Sequence, residues 1–321
     1  MEKLIEVKNL SKKFPKGKDF LGNPKGYVYA LNGVDFDIYK NETLGLVGES
    51  GCGKSTTGRC VINLITPTTG EVLFNNQNIL TLKNKDLKKI RKDLQIIFQN
   101  PYSSLNPRMK IKDILSEPLK LNTKLSINDI ENKIDEMLEC VGLPINAKEN
   151  FPHEFSGGQR QRIVIAKALI LNPQFIVADE PISALDISIQ KQIIKLLEDL
   201  KTKFNLTYLF ISHDLSTVRY FCDRVAVMYL GEIVEIGKTE DIFNNPHHPY
   251  TKLLMSSIPQ IDYSETQNTE IENTELPSNE ILPNGCKYAT RCPYVMNICK
   301  EKNPQMIAKE NNHNVKCFLV N

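Results

Sequence analysis

Gly48-Glu49-Ser50-Gly51-Cys52-Gly53-Lys54-Ser55 is the stretch whose residue types and spacing carry the clearest chemistry. It has the pattern G-x-x-x-x-G-K-[ST], which cradles phosphate when it lies between a buried strand and a helix. Gly48, Gly51 and Gly53 let successive backbone N–H groups turn inward, where a Cβ would block them, and Ser50 and Thr56 continue the same amide run. The helix that follows adds its unpaired N–H groups and the positive end of its dipole. Lys54 can reach β- and γ-phosphates, and the Ser55 hydroxyl can bind Mg²⁺.

Two further constellations suit the same ligand. Phe175-Ile176-Val177-Ala178-Asp179-Glu180 reads as a buried strand ending in two carboxylates. Asp179 is expected to partner Mg²⁺ through water, and Glu180 to polarise an attacking water as general base. In Phe155-Ser156-Gly157-Gly158-Gln159-Arg160, Ser156 can cap a helix whose first turn is glycine-rich, making a second anion-ready helix start. One nucleotide does not need two such ends from one chain, so this one is expected to serve a nucleotide held by a partner subunit.

The elements that must position these residues follow from hydrophobic patterning. Leu4–Val7, Val34–Ile38, Thr43–Val47 and Glu71–Phe74 read as strands, with a helix after the phosphate loop. Residues 84–93 read as a charged helix before a strand at Leu94–Phe98, and Ile111–Val141 as mostly helical. A helix over Gly157–Leu171 precedes the strand Phe175–Ala178, and helical residues 188–203 precede Thr207–Ile211. Strands alternating with helices imply a mostly parallel sheet covered on its faces. Asp262–Glu280, dense in Glu, Asn, Thr and Ser, reads as a linker.

At 321 residues and net charge +2, the chain is long enough for a well-buried core and has no global field for nucleic acid. No apolar run approaches the ~18 residues needed to span a bilayer. The N-terminus lacks a signal-peptide core. The chain is therefore expected to be cytosolic, or held at a membrane only through partners.

Taken together, these motifs resemble the ATP-binding subunits of ABC transporters over residues 1–260. Gly48–Ser55 matches the Walker A motif, Phe155–Gln159 the signature motif (Phe155 stands where Leu is commoner), and Phe175–Glu180 Walker B. Gln99 matches the Q-loop glutamine, which helps position Mg²⁺. Ser183-Ala184-Leu185-Asp186 matches the D-loop, and His213 the histidine that reads the γ-phosphate. The resemblance also implies an aromatic ring stacked on adenine, for which Tyr27 is the candidate and Phe14 and Tyr29 are alternatives. The implied architecture is α/β: a P-loop NTPase core of the ABC ATPase type with an N-terminal antiparallel β subdomain and an α-helical signature subdomain at about 100–170. A polar linker at 261–284 and a small cysteine-rich extension at 285–321 complete it.

Phe98–Arg108 and Asn245-Pro246-His247-His248-Pro249-Tyr250-Thr251 are similar to oligopeptide and dipeptide importer ATPases, in particular their second ATPase subunit. That resemblance implies a homologous ATPase subunit as partner in a heterodimer, two transmembrane permease subunits, an extracytoplasmic solute-binding protein, and a peripheral place on the cytoplasmic side of the cell membrane. Importers of nickel, opines or glutathione use closely similar subunits, so cargo stays open at this point. A soluble DNA-repair or chromosome-organising ATPase would carry long insertions between phosphate loop and signature. Here that gap holds no sustained heptads and no basic stripe.

Cys286, Cys292, Cys299 and Cys317 are separated by five, six and seventeen residues. Structural zinc usually begins with a tighter cysteine pair, whereas four thiolates at wider spacing suit a [4Fe–4S] cluster. The subfamily resemblance points to that cluster too; Zn²⁺ and free or disulfide-forming thiols are the alternatives. Without a ligand, so short and polar a tail is expected to have little reason to fold.

Overall fold

The computed structural model describes residues 2–17, 20, 23–257, 279–309 and 312–320. Most of the linker expected at 262–280 thus lies outside the described residues. The first strands are β1 (Lys3–Pro15), β2 (Tyr27–Tyr39), β3 (Thr43–Val47), β4 (Thr69–Phe74), β5 (Gln77–Asn78) and β6 (Leu94–Ile97). They are followed by β7 (Phe175–Asp179), β8 (Thr207–Ile211), β9 (Arg224–Tyr229), β10 (Glu232–Lys238), β11 (Ile307–Ala308) and β12 (Asn314–Val315). The helices up to the signature segment are α1 (Lys54–Val61), α2 (Asn84–Ile90), α3 (Pro101–Ser104), α4 (Ile111–Asn122), α5 (Ile127–Cys140) and α6 (Gly157–Leu169). Beyond it lie α7 (Ile187–Phe204), α8 (Leu215–Phe221), α9 (Thr239–Asn244), α10 (Pro249–Ser256) and α11 (Asn297–Glu301).

Two sheets form. The smaller is antiparallel, in the order β2-β1-β4-β5; the larger runs β11-β12-β10-β9-β3-β8-β7-β6. Its pairs from β9 through β3, β8 and β7 to β6 are parallel, and β10, β12 and β11 add antiparallel at one edge. β3, β7 and β8 are buried along their whole length, because helices and the second sheet cover both faces.

Successive side chains on these strands alternate between two cores. Val47, Ile176, Ala178 and Phe210 join the core that binds the helical subdomain α3–α6 to one face. Leu46, Phe175, Val177 and Ile211 join the core under the N-terminal sheet on the other. Helix α1 comes close to β7 and β8 because Gly58 has no side chain; a Cβ there would lie 2.7 Å from Val177 and 2.9 Å from Ile211.

The stretch expected to be mostly helical over 111–141 is two helices. Ser126 ends the break, capping α5 through a capping box with Asp129. The C-terminal extension contains two short strands that the sequence pattern does not mark. It folds by joining the main sheet: β12 pairs with β10 at Glu235↔Val315 and Ile236↔Asn314. The edge of β10 offers this tail a hydrogen-bond ladder and a ready-made core. Tyr288 inserts against Tyr229 and Tyr250, with ring centroids 5.2 and 5.5 Å away.

The join is fastened by a buried carboxylate and the groups that hydrogen-bond to it. Glu235 accepts from the backbone N–H groups of His247 and His248 at 2.7 and 3.0 Å and meets His313 Nε2 at 2.7 Å. Burial pushes the Glu235 carboxyl up, but these hydrogen bonds more than offset it and leave it below its ordinary 4.5. A depressed carboxyl stabilises the fold above its unfolded-state value and loses that contribution as pH falls through the lower folded-state value. Glu235→Gln, which removes the charge from a carboxylate held by these hydrogen bonds, is expected to cost about 2 kcal/mol at neutral pH. Thermal melts of the two proteins should converge as pH is lowered below about 4.5, the ordinary value of this group.

Candidate nucleotide site

The phosphate loop is shaped by what surrounds it. Gly48, Gly51 and Gly53 have φ of 148°, 80° and 112°, in the region that favours glycine. A Cβ on Gly48 would lie 2.2 Å from the Met228 carbonyl, and one on Gly53 2.4 Å from that of Ala30. The loop is thus wedged between β9 and β2, with its backbone free of side chains at the turns, a cradle that fits phosphate oxygens. Lys54 is buried, and its ammonium donates to the carbonyls of Gly48 and Glu49 at 2.7 and 3.0 Å, which keeps the charge within the loop. Ser50 and Gly51 are exposed at the tip, and Ser55 and Thr56 occupy the first turn of α1, half-buried.

The strand carboxylates meet this loop. Ser55 Oγ donates to Asp179 Oδ1 at 2.7 Å, so a hydroxyl and a nearly fully buried carboxylate lie side by side. That donor set suits a hard, oxygen-seeking cation such as Mg²⁺. Arg59, which the sequence reading passed over, reaches Asp179 Oδ2 at 3.4 Å from the same helix. Its position four residues after Ser55, on the same helical face, was the available signal.

Glu180 follows β7 directly and adopts a left-handed backbone, φ 49°, with its N–H bonded to the Ile211 carbonyl at 2.9 Å. A non-glycine residue held there is a local strain that the surrounding strands impose. The conformation brings three of the expected residues together. Gln99 Nε2 donates to Glu180 Oε2 at 2.7 Å, and His213 Nδ1 lies 3.4 Å from the same oxygen. His213 is presented by the end of β8, where Ser212 accepts from the Asp214 N–H and Asp214 caps α8.

The signature residues are arranged separately. Ser156 caps α6 and forms a capping box with Gln159, at 3.3 Å and 3.0 Å. Gly158 lets α6 approach α7, since a Cβ would lie 2.7 Å from Ile189. Ser156 and Asp186 are both exposed. Among the described residues no hydrogen bond joins Ser156–Gln159 to the Gly48–Ser55 loop. A link to the Gln99 loop does exist: the Arg160 guanidinium lies 4.4 Å over the Tyr102 ring. Tyr27 opens β2, paired with Pro15, and Lys13 lies 4.4 Å over its ring. Phe14 is half-buried beside Lys12, and Tyr29 is half-buried one turn of the pleat further on.

Comparison with known proteins agrees with this geometry. Residues 31–183 match the family described as ABC transporter, and residues 234–299 the oligopeptide/dipeptide transporter, C-terminal region. The oligopeptide transport ATP-binding protein AppF of Bacillus subtilis is 47% identical over 321 residues, covering 99% of this chain and 98% of that one. The dipeptide transport ATP-binding protein DppF of Haemophilus influenzae is 44% identical, covering 99% and 97%. The chain belongs to the ABC transporter ATP-binding family, in its oligopeptide/dipeptide branch. The ATP-binding cassette MJ0796, solved as a dimer in a post-hydrolysis state bound to ADP and Pi, shares the fold at TM-score 0.65 and 31% identity. That alignment covers 73% of this chain and 98% of the cassette.

The matched C-terminal region holds Cys286, Cys292 and Cys299, and Cys317 follows beyond it. Cys286 donates its N–H to the Cys299 carbonyl at 2.8 Å, and Cys299 and Cys317 are buried. Burial pushes the thiols of Cys286, Cys292 and Cys317 up, and each lies within electrostatic reach of others in the set. They are gathered, but not drawn into a ligand shell. Among the described residues no three or more His, Cys, Asp or Glu side chains are placed to hold a metal ion. The expectation of iron–sulfur or zinc ligation by Cys286, Cys292, Cys299 and Cys317 therefore finds no ready-made site. Cys286 and Cys292 are partly buried against the main core. Among the described residues no helix is long and apolar enough to cross a membrane.

Proposed function

We propose that this ABC ATPase hydrolyses ATP to energise import of di- or oligopeptides, working as one half of a dimer of ATPase subunits on the cytoplasmic face of two permease subunits. The observation that carries the catalytic part is the convergence of Gln99, Glu180 and His213 beside the Ser55–Asp179 pair. The peptide cargo is supported by the relatives, whose names specify oligopeptide or dipeptide transport. The distinct second ATPase subunit and an extracytoplasmic solute-binding protein are supported by the same kinship.

In this reading Gly48, Ser50, Gly51, Gly53 and Thr56 supply amide and hydroxyl donors to the triphosphate, and Lys54 swings from the loop carbonyls to the β- and γ-phosphates. Tyr27 stacks on the adenine. Ser55, Asp179 and Gln99 hold Mg²⁺, which when bound neutralises charge developing on the phosphoryl oxygens. Glu180 accepts a proton from the attacking water, and His213 holds the γ-phosphate end in register. Ser156, Gly157, Gly158 and Gln159 close over the nucleotide of the partner, and Asp186 lines the interface between the two. Closure excludes bulk water and commits the site to the in-line attack.

A [4Fe–4S] cluster on the four C-terminal cysteines is supported by their gathering in one folded extension; with no ligand shell formed, no catalytic step is assigned to it. Iron and acid-labile sulfide in anaerobically purified protein test it, stoichiometric amounts being the expected result and their absence removing the cluster.

Glu180→Gln keeps the side chain's shape and its hydrogen-bonding reach but removes the proton acceptor. ATP affinity should be retained while turnover falls by about a hundredfold or more. Steady-state phosphate release with the assembled transporter reads the outcome, and undiminished hydrolysis would remove Glu180 from the role of base.

A further inference from the structure

The phosphate loop carries a carboxylate. Glu49, next to Gly48, would place a negative charge at the edge of a cradle meant for a polyanion, and its side chain is only 27% exposed. It is not left alone. Arg291 Nη1 donates to Glu49 Oε2 at 2.8 Å and Nη2 to Oε1 at 3.1 Å, a bidentate pair with the guanidinium 11% exposed. The same Arg291 lies 5.9 Å over the Tyr229 ring. The Glu49 N–H donates to the Tyr250 hydroxyl at 2.9 Å.

A second contact comes from the same part of the chain. Asn279 donates from Nδ2 to the Gly51 carbonyl at 3.1 Å, while its own carbonyl accepts from the Tyr29 N–H at 2.9 Å. The extension therefore touches the loop at Glu49 through Arg291, and the end of the preceding linker touches it at Gly51 through Asn279 and bridges it to the strand that carries Tyr27. None of the sequence motifs for nucleotide binding includes Arg291 or Asn279.

We infer that the C-terminal extension is a working part of the nucleotide site, in which Arg291 cancels the charge that Glu49 brings to the phosphate loop and so sets its affinity for a triphosphate. Arg291 is a positioning residue: it acts through Glu49. It holds the carboxylate turned to the extension and supplies the opposite charge within a few ångströms, where partial burial weakens screening by salt. The guanidinium is delivered by the segment between Cys286 and Cys292, immediately before the latter, so the folding of the extension is read at the loop. This inference rests on the assignment of Gly48–Ser55 as the triphosphate cradle.

The test measures MgATP binding by titration calorimetry to the full chain. Arg291→Ala is expected to weaken MgATP about tenfold, within the usual range for coupling between sites. Adding Glu49→Gln to Arg291→Ala should recover most of that loss, because the repelling charge is then gone. A purely structural role for Arg291 predicts no such rescue. Arg291→Gln, a polar side chain of intermediate length, serves if Arg291→Ala does not fold, with the same loss and the same rescue expected. Wild-type affinity in the Arg291 variants, or a loss that Glu49→Gln does not relieve, overturns the inference. Lys54→Ala separates the two levels: if wild-type binding does not depend on Lys54, the cradle assignment itself falls and this inference with it. If binding depends on Lys54 but not on Arg291, only the inference falls.

Discussion

Between β3 and α1 the chain turns so tightly that the carbonyls of Met228 and Ala30 occupy the space where side chains at Gly48 and Gly53 would begin. That constraint orders the rest of the molecule. A loop with free amides and no Cβ at its turns can wrap an anion only if both flanking strands hold it still, and β9 and β2 do so through their backbones. The Gly231 N–H donates to the Cys52 carbonyl at 2.9 Å, and the Asn32 N–H to that of Gly231 at 2.8 Å. The large sheet and the small one therefore meet at the loop, and its geometry is a property of both.

The same sheet explains how acid, amide and imidazole side chains far apart in the chain reach one point. β6, β7 and β8 run parallel, so their C-terminal ends lie at one edge, where ligands bind in sheets of this kind. Gln99 follows β6, Glu180 follows β7 and His213 follows β8. Alternate residues of these strands feed two separate cores, one shared with the helical subdomain and one with the N-terminal sheet. Packing on either face is thus transmitted to the strand ends, and the Arg160–Tyr102 contact ties the Gln99 loop to the helix that begins at Ser156.

Much of this was legible in the residues themselves. Glycine spacing, a capped helix start at Ser156 and carboxylates closing an apolar strand are local signals, and parallel strands buried on both faces read as near-continuous apolar runs. The bonds among Gln99, Glu180 and His213 were not legible, since they arise from strand order and from the left-handed turn at Glu180. β10 and the C-terminal strands were missed for a related reason. β12 is two residues long and takes its stability from the edge of β10, so nothing in its own composition marks it as a strand. Arg291 likewise looks like one of many surface cations until the aromatic cluster of Tyr229, Tyr250 and Tyr288 sets the extension against the loop.

Among the described residues the exposed Ser156 and the loop around Lys54 share no hydrogen bond, so the proposed mechanism needs a second subunit to bring a signature element to each nucleotide. Sedimentation velocity of the chain mixed with its cognate ATPase subunit, in the presence and absence of MgATP, measures this directly. Association that requires MgATP and is abolished by Lys54→Ala is the expected result. Particles of the same size with and without nucleotide, or an undiminished response in Lys54→Ala, would contradict it.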